Sequence, residues 1–120
     1  MALSVLWVGP SSATFQACAA GVPAPVQVTR LQTAEDALHA LAGDPRAVVV
    51  LEAAEEGALR RLHQRVPHVP LVVVGPAETV VQALGAGADV GLAEPVAPGL
   101  LVAQVLALAV QARDCALSHG

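Results

Sequence analysis

Charge is scarce in this sequence, and the cationic residues never form a dense patch. Only 13% of the 120 residues are charged, with six Lys and Arg against ten Asp and Glu and a formal net charge of −4. Nothing in that balance attracts a phosphate backbone, so no nucleic-acid binding is expected through this segment. Cysteine is equally sparse. Cys18 and Cys115 are too few for a disulfide framework and are not spaced as a metal knuckle, so both are read as reduced thiols. No positive charge precedes Arg30, and Pro10 follows closely on the apolar opening Met1–Val8, which argues against a secretory leader. Gln104 and Gln111 punctuate the longest apolar candidate, so no stretch reaches the roughly 20 residues that a bilayer span needs. Internal repeats and low-complexity tracts are also missing. The expectation is one cytoplasmic domain over residues 1–112, with 113–120 a tail or the start of a linker, and no membrane contact.

What is abundant is apolar surface. Hydrophobic residues make up 55% of the chain, which is incompatible with disorder and calls for a fold whose strands are buried on both faces. Short β-branched runs alternate with longer Ala/Leu segments, the pattern of repeated βα units. The first strand is predicted at Leu3–Val8. Ser11 or Ser12 can cap a helix to about Ala20, with Gly21 free to take positive φ behind it. Val26–Leu31 is the second strand. Thr33 followed by Asp36 opens a second helix in a capping-box-like way, and Gly43 ends it. Ala47–Leu51, with three consecutive valines, reads as a central strand.

The third helix is predicted from Glu55 to about Val66, where Pro67 stops it, and Pro70–Val74 is the fourth strand. Glu78–Ala86, closed by Gly87, is the fourth helix, and Val90–Ala93 a short fifth strand. Pro98 can stand in the first turn of a last helix extending to about Cys115. Right-handed crossovers then give a three-layer α/β/α sandwich of flavodoxin-like type, its five-stranded parallel sheet in the order 2-1-3-4-5.

Three pieces carry a family resemblance: TAEDALHALAGDPRAVVVLE at Thr33–Glu52, VPLVVVG at Val69–Gly75 and GADVGLAEPV at Gly87–Val96. In this order and at these βα positions they resemble the receiver domain of response regulators in bacterial two-component systems. The register covers nearly the whole chain. The resemblance implies phosphoryl-transfer positions: an acidic pair after the first strand to hold Mg²⁺, an Asp nucleophile ending the third, a hydroxyl after the fourth, and a Lys before a proline after the fifth. In this sequence Gly9 and Pro10 stand at the acidic pair, Glu52 at the phosphoacceptor, Gly75 at the hydroxyl and Glu94 at the lysine. Gly91 stands near the aromatic switch position. The loop at Ala53–Gly57 is also shorter than usual and lacks the Met-Pro step. The chain therefore resembles a degenerate receiver, a pseudo-receiver, which is not expected to be an enzyme and has no implied cofactor or metal. Glu94 in place of Lys also sets a second negative group where phosphate would add nearly two more charges.

Other readings of these residues are weaker. Glu52 as a permanent phosphoaspartate mimic lacks the Thr and Lys that would sense it, so a solvated or capped carboxylate is expected there. Glu52 with Glu94 as a divalent-ion site has too few oxygen ligands. Gly85–Asp89 mimics part of a dinucleotide loop but lies at a helix end and lacks the third glycine. Ser11, Ser12 and Thr14 are read as a helix start in preference to an anion site. His39, His63, His68 and His119 show no ligand spacing and are read as surface residues.

The last helix is the most suggestive segment. The resemblance places Leu101, Val102, Val105 and Leu108 inward, leaving Leu100, Ala103, Leu106, Ala107 and Val110 as an apolar outer face, a candidate interface. Regulation by homodimerisation, or by docking a protein partner or a downstream effector domain, is the leading expectation. The alternative is a flavodoxin-like domain binding a small ligand or nucleotide at the carboxyl ends of its strands.

Overall fold

The computed structural model describes residues 3–9, 13–22, 26–43, 47–52, 56–94 and 96–118. Five strands, β1 (Leu3–Val8), β2 (Val26–Leu31), β3 (Val48–Glu52), β4 (Leu71–Gly75) and β5 (Val90–Ala93), form one parallel sheet in the order β2-β1-β3-β4-β5. Between and after them run α1 (Ala13–Gly21), α2 (Ala34–Gly43), α3 (Glu56–Arg65), α4 (Ala77–Gly85) and α5 (Pro98–Ser118). This is the predicted architecture and strand order.

Every residue of β3 and β4 is buried, as the unbroken valine runs require. Side chains alternate between the two faces of the sheet. Leu6, Val8, Val49, Leu51, Leu71 and Val73 pack on one face with Leu59 and Leu62 of α3, Leu41 of α2 and Ala83 of α4. Val5, Trp7, Val48, Val50, Val72 and Val74 pack on the other with Cys18 of α1 and with Leu101, Val105 and Ala109 of α5. The four-residue spacing of those α5 contacts is the helical repeat that lays one stripe along the sheet.

Local signals set most of the ends. The Asp36 backbone N–H donates to Thr33 Oγ1 at 3.2 Å, the predicted cap of α2. Behind α4, the Ala88 N–H reaches back to the Ala83 carbonyl at 3.0 Å while Gly87 takes φ +118°, so the helix closes in a Schellman arrangement. Asp89 then ties the starts of β4 and β5 together: its N–H donates to the Leu71 carbonyl at 2.9 Å, and its Oδ2 accepts the Leu71 N–H at 2.8 Å.

Several predicted features move. β3 and β4 each begin and end one residue later than expected, because Glu52 stays in the ladder opposite Val74 and Gly75 opposite Ala93. Gly21 is the last residue of α1 and is not among the positive-φ glycines; its bare Cα makes room for α5, since a Cβ there would lie 3.1 Å from Val102 Cγ2. Helix α5 continues to Ser118, past Cys115 and through residues read as a tail. Ser11 and Ser12, the expected α1 caps, lie outside the described residues. No described helix is long and apolar enough to cross a membrane.

Gly87 is doubly constrained, by its φ and by the His63 ring, whose Cγ would lie 2.8 Å from an added Cβ. Gly87→Ala should cost about 1–3 kcal/mol of stability. His63→Ala in the same chain should recover only the steric share. Urea titrations of the single and double variants check this; full recovery in the double variant would mean that φ contributes nothing.

Candidate functional site

The carboxyl ends of β1, β3, β4 and β5 bring the expected site residues to one edge of the sheet. Gly9 follows β1, Glu52 ends β3, Gly75 ends β4 and Glu94 follows β5, with its N–H donating to the Gly75 carbonyl at 2.9 Å. Pro10 lies outside the described residues. Gly9 has φ +148°, and a Cβ built on it would lie 3.1 Å from Glu52 Cβ and 3.3 Å from the Glu52 carbonyl oxygen. Its backbone therefore lies against the third strand. Any side chain there would carry both an unfavourable φ and a close contact.

Of the solvated or capped carboxylate expected here, Glu52 is the capped alternative. It is only 9% exposed, and its Oε2 accepts a hydrogen bond from Trp7 Nε1 at 2.9 Å. The geometry follows from register. Trp7 lies beside Val50 on the α1/α5 face, and Glu52 is two residues further along the same face of β3. A fully buried indole needs an acceptor for its N–H, and a buried carboxyl needs donors, so each satisfies the other. Phe15 of α1 meets the indole edge-on, with ring centroids 5.6 Å apart and planes at 67°. The indole thus holds the carboxylate at the position where the resemblance implies a phosphoacceptor.

The position after β5, where the resemblance implies a lysine, carries a carboxylate. Glu94 is exposed, and the whole chain contains no lysine; all six of its Lys/Arg residues are arginine. Arg30 of β2 does reach this end, but its Nη1 donates to the Gly9 carbonyl at 3.2 Å. Among the described residues, no group of three or more His, Cys, Asp or Glu side chains converges as a metal site. His39, His63 and His68 are exposed; His119 lies outside the described residues. Cys18 is a free, fully buried thiol whose pKa is raised by desolvation. Gly85–Asp89 forms the α4 terminus and the clamp on Leu71.

Away from this edge, the outer face of α5 carries exposed Leu100, Ala103, Ala107 and Val110, whereas Leu106 is half-buried. Helix α4 adds Val81 and Leu84. Among the described residues, the large apolar side chains left exposed are Val81, Leu84, Leu100 and Val110, all on these two helices. Gly91 is not an open gap: a Cβ there would lie 2.4 Å from Val80 Cγ1 and 3.3 Å from Leu84 Cγ, so α4 rests directly on β5.

Trp7 and the total lack of lysine were both readable in the sequence but carried no weight there. A single tryptophan inside a strand buried on both faces asks for an acceptor, and Glu52 is the carboxylate that the strand register supplies.

No protein-family model matches the chain, and no curated protein does. Solved structures do match its fold. The receiver domain of the Francisella response regulator 1452 superposes with a TM-score of 0.73 at 18% identity, covering 91% of this chain and 98% of that one. The signal receiver domain of an HD domain-containing protein from Pseudomonas fluorescens gives 0.78 at 18% identity, covering 94% and 90%. NtrX from Brucella abortus gives 0.75 at 19% identity over 99% of this chain, which spans 30% of the NtrX chain. The fold is that of response-regulator receiver domains.

Glu52→Gln should leave stability within about 1 kcal/mol, because the amide oxygen can still accept from Trp7. Glu52→Leu should cost about 1–3 kcal/mol, since it orphans a buried indole N–H. Urea unfolding followed through Trp7, the sole tryptophan, reads both. Equal costs for the two variants would show that the hydrogen bond is not what Glu52 supplies.

Proposed function

We propose that this chain is a receiver-like regulatory domain of cytoplasmic signal transduction that works without phosphorylation and without catalysis. It acts by holding a protein partner on the face made by α4 and α5. One observation carries the reading: the phosphoacceptor position is a buried Glu52 committed to Trp7 and pressed against the bare backbone of Gly9. A nucleophile must reach a phosphodonor, a Mg²⁺ ion needs oxygen ligands beside it, and the transferred group needs a cation. Gly9, the buried Glu52 and the lysine-free sequence weigh against all three.

The α4–α5 face supports the interaction half of the reading. Exposed Val81 and Leu84 on α4 and Leu100 and Val110 on α5 are apolar side chains of the kind that an interface covers. Residues 98–112 contain no charged side chain and α4 contains only Glu78, so a two-fold arrangement brings few like charges together. A second copy is therefore the partner that this face fits best. An effector domain is the other occupant; the NtrX chain, of which this fold matches 30%, is a case in which the fold is part of something longer.

Sedimentation velocity at micromolar concentration tests both halves together. Wild-type protein should self-associate to the same extent with and without acetyl phosphate and Mg²⁺. Leu100→Glu and Val110→Glu should each weaken association at least tenfold, with the circular dichroism spectrum unchanged. They test the face more cleanly than a change at half-buried Leu106. A phosphodonor-dependent shift in the dimer constant would overturn phosphorylation independence, and a monomeric wild type would overturn self-association.

A further inference from the structure

We infer that Gly91 is the positioning residue that holds α4 down on β5 and so fixes the apolar face in a single, permanently presented arrangement; this rests on the self-association reading above. Val90 and Leu92 pack with the α5-side core, and side chains alternate along a strand, so position 91 looks toward α4. There, Val80 Cγ1 would lie 2.4 Å from a Cβ, with Leu84 Cγ at 3.3 Å and Leu84 Cδ1 at 3.4 Å. Val80 is buried and β-branched, so its rotamer cannot swing aside within the helix. Only glycine lets the two elements meet at this distance. Any side chain at 91 must lift α4.

The consequence is functional because the residues held down are turns of the same helix that present the partner face. Val80 and Leu84 touch β5, while Val81, 69% exposed, and the outer half of Leu84, 47% exposed, face solvent. With no side chain at position 91 of β5, nothing on the strand's side of this contact can rotate in and out and change the height of α4. Self-association is then set by protein concentration and not by a conformational signal arriving along β5.

Gly91→Ala tests this, with Val80→Ala/Gly91→Ala as its partner variant, because removing the Val80 methyls gives back the space that the new Cβ takes. The 120-residue chain is compared by sedimentation and by hydrogen–deuterium exchange of the α4 amides. Gly91→Ala should weaken self-association at least tenfold and speed α4 exchange relative to α2, and the double variant should recover most of both. A folded Gly91→Ala protein that associates and exchanges like wild type would overturn the inference. So would a folded double variant that stays dissociated with fast α4 exchange, whether or not the single variant folds. If wild type is monomeric, the self-association reading falls by itself, and the α4 exchange of the same variants still decides whether Gly91 holds the helix.

Discussion

The hydrogen bond from the Trp7 indole to the Glu52 carboxyl is the contact around which this end of the molecule is arranged. A sheet covered on both faces admits a polar group only with a partner, because an unpaired buried donor or acceptor costs about 1–3 kcal/mol. Trp7 and Glu52 meet that condition jointly, and in doing so they give the end of β3 a structural task. The Glu52 carboxylate meets the β1 indole from two residues further along the same face of the sheet. Phe15 then seats α1 against the indole. The tertiary position of a helix and the burial of a charge-bearing residue thus share one origin.

Glycine does the complementary work. At Gly9 a bare Cα lets the chain leaving β1 lie against Glu52; at Gly21 it makes room for Val102 of α5; at Gly91 it brings α4 onto β5. Each is a close approach between elements. Two of these, Gly9 and Gly91, stand at or near positions where the resemblance to receiver domains implies working side chains. Among the described residues, the large apolar side chains left exposed lie on α4 and α5.

Much of the architecture was legible in the residues. The valine runs at 48–50 and 72–74 have no polar alternation and dictate doubly covered strands, and Thr33, Gly43 and Gly87 mark helix ends by chemistry that does not depend on tertiary context. Boundaries shifted where a residue's usual preference lost to pairing. Glu52 and Gly75 both remain in the ladder although carboxylates and glycines ordinarily stand outside strands. The identities at Gly9, Glu52, Gly75 and Glu94 could be assigned to positions without coordinates. The burial of Glu52 could not, because it depends on a diagonal contact 45 residues away in sequence. The role of Gly91 was hidden for the same reason: a missing side chain reveals its purpose only when its neighbour, Val80, is seen.

We propose that Glu52, buried and held by Trp7, takes neither metal nor phosphoryl group. The ¹H–¹⁵N spectrum of the Trp7 indole reports on it directly, since this N–H is bonded to the very carboxyl that would react and belongs to the sole tryptophan. Titration with Mg²⁺, followed by the phosphoryl analogue beryllofluoride, should leave a single, slowly exchanging indole resonance where it began. Movement or splitting of that resonance at millimolar Mg²⁺ or on addition of beryllofluoride would contradict the account, because it would mean that Glu52 can leave Trp7 to meet a ligand.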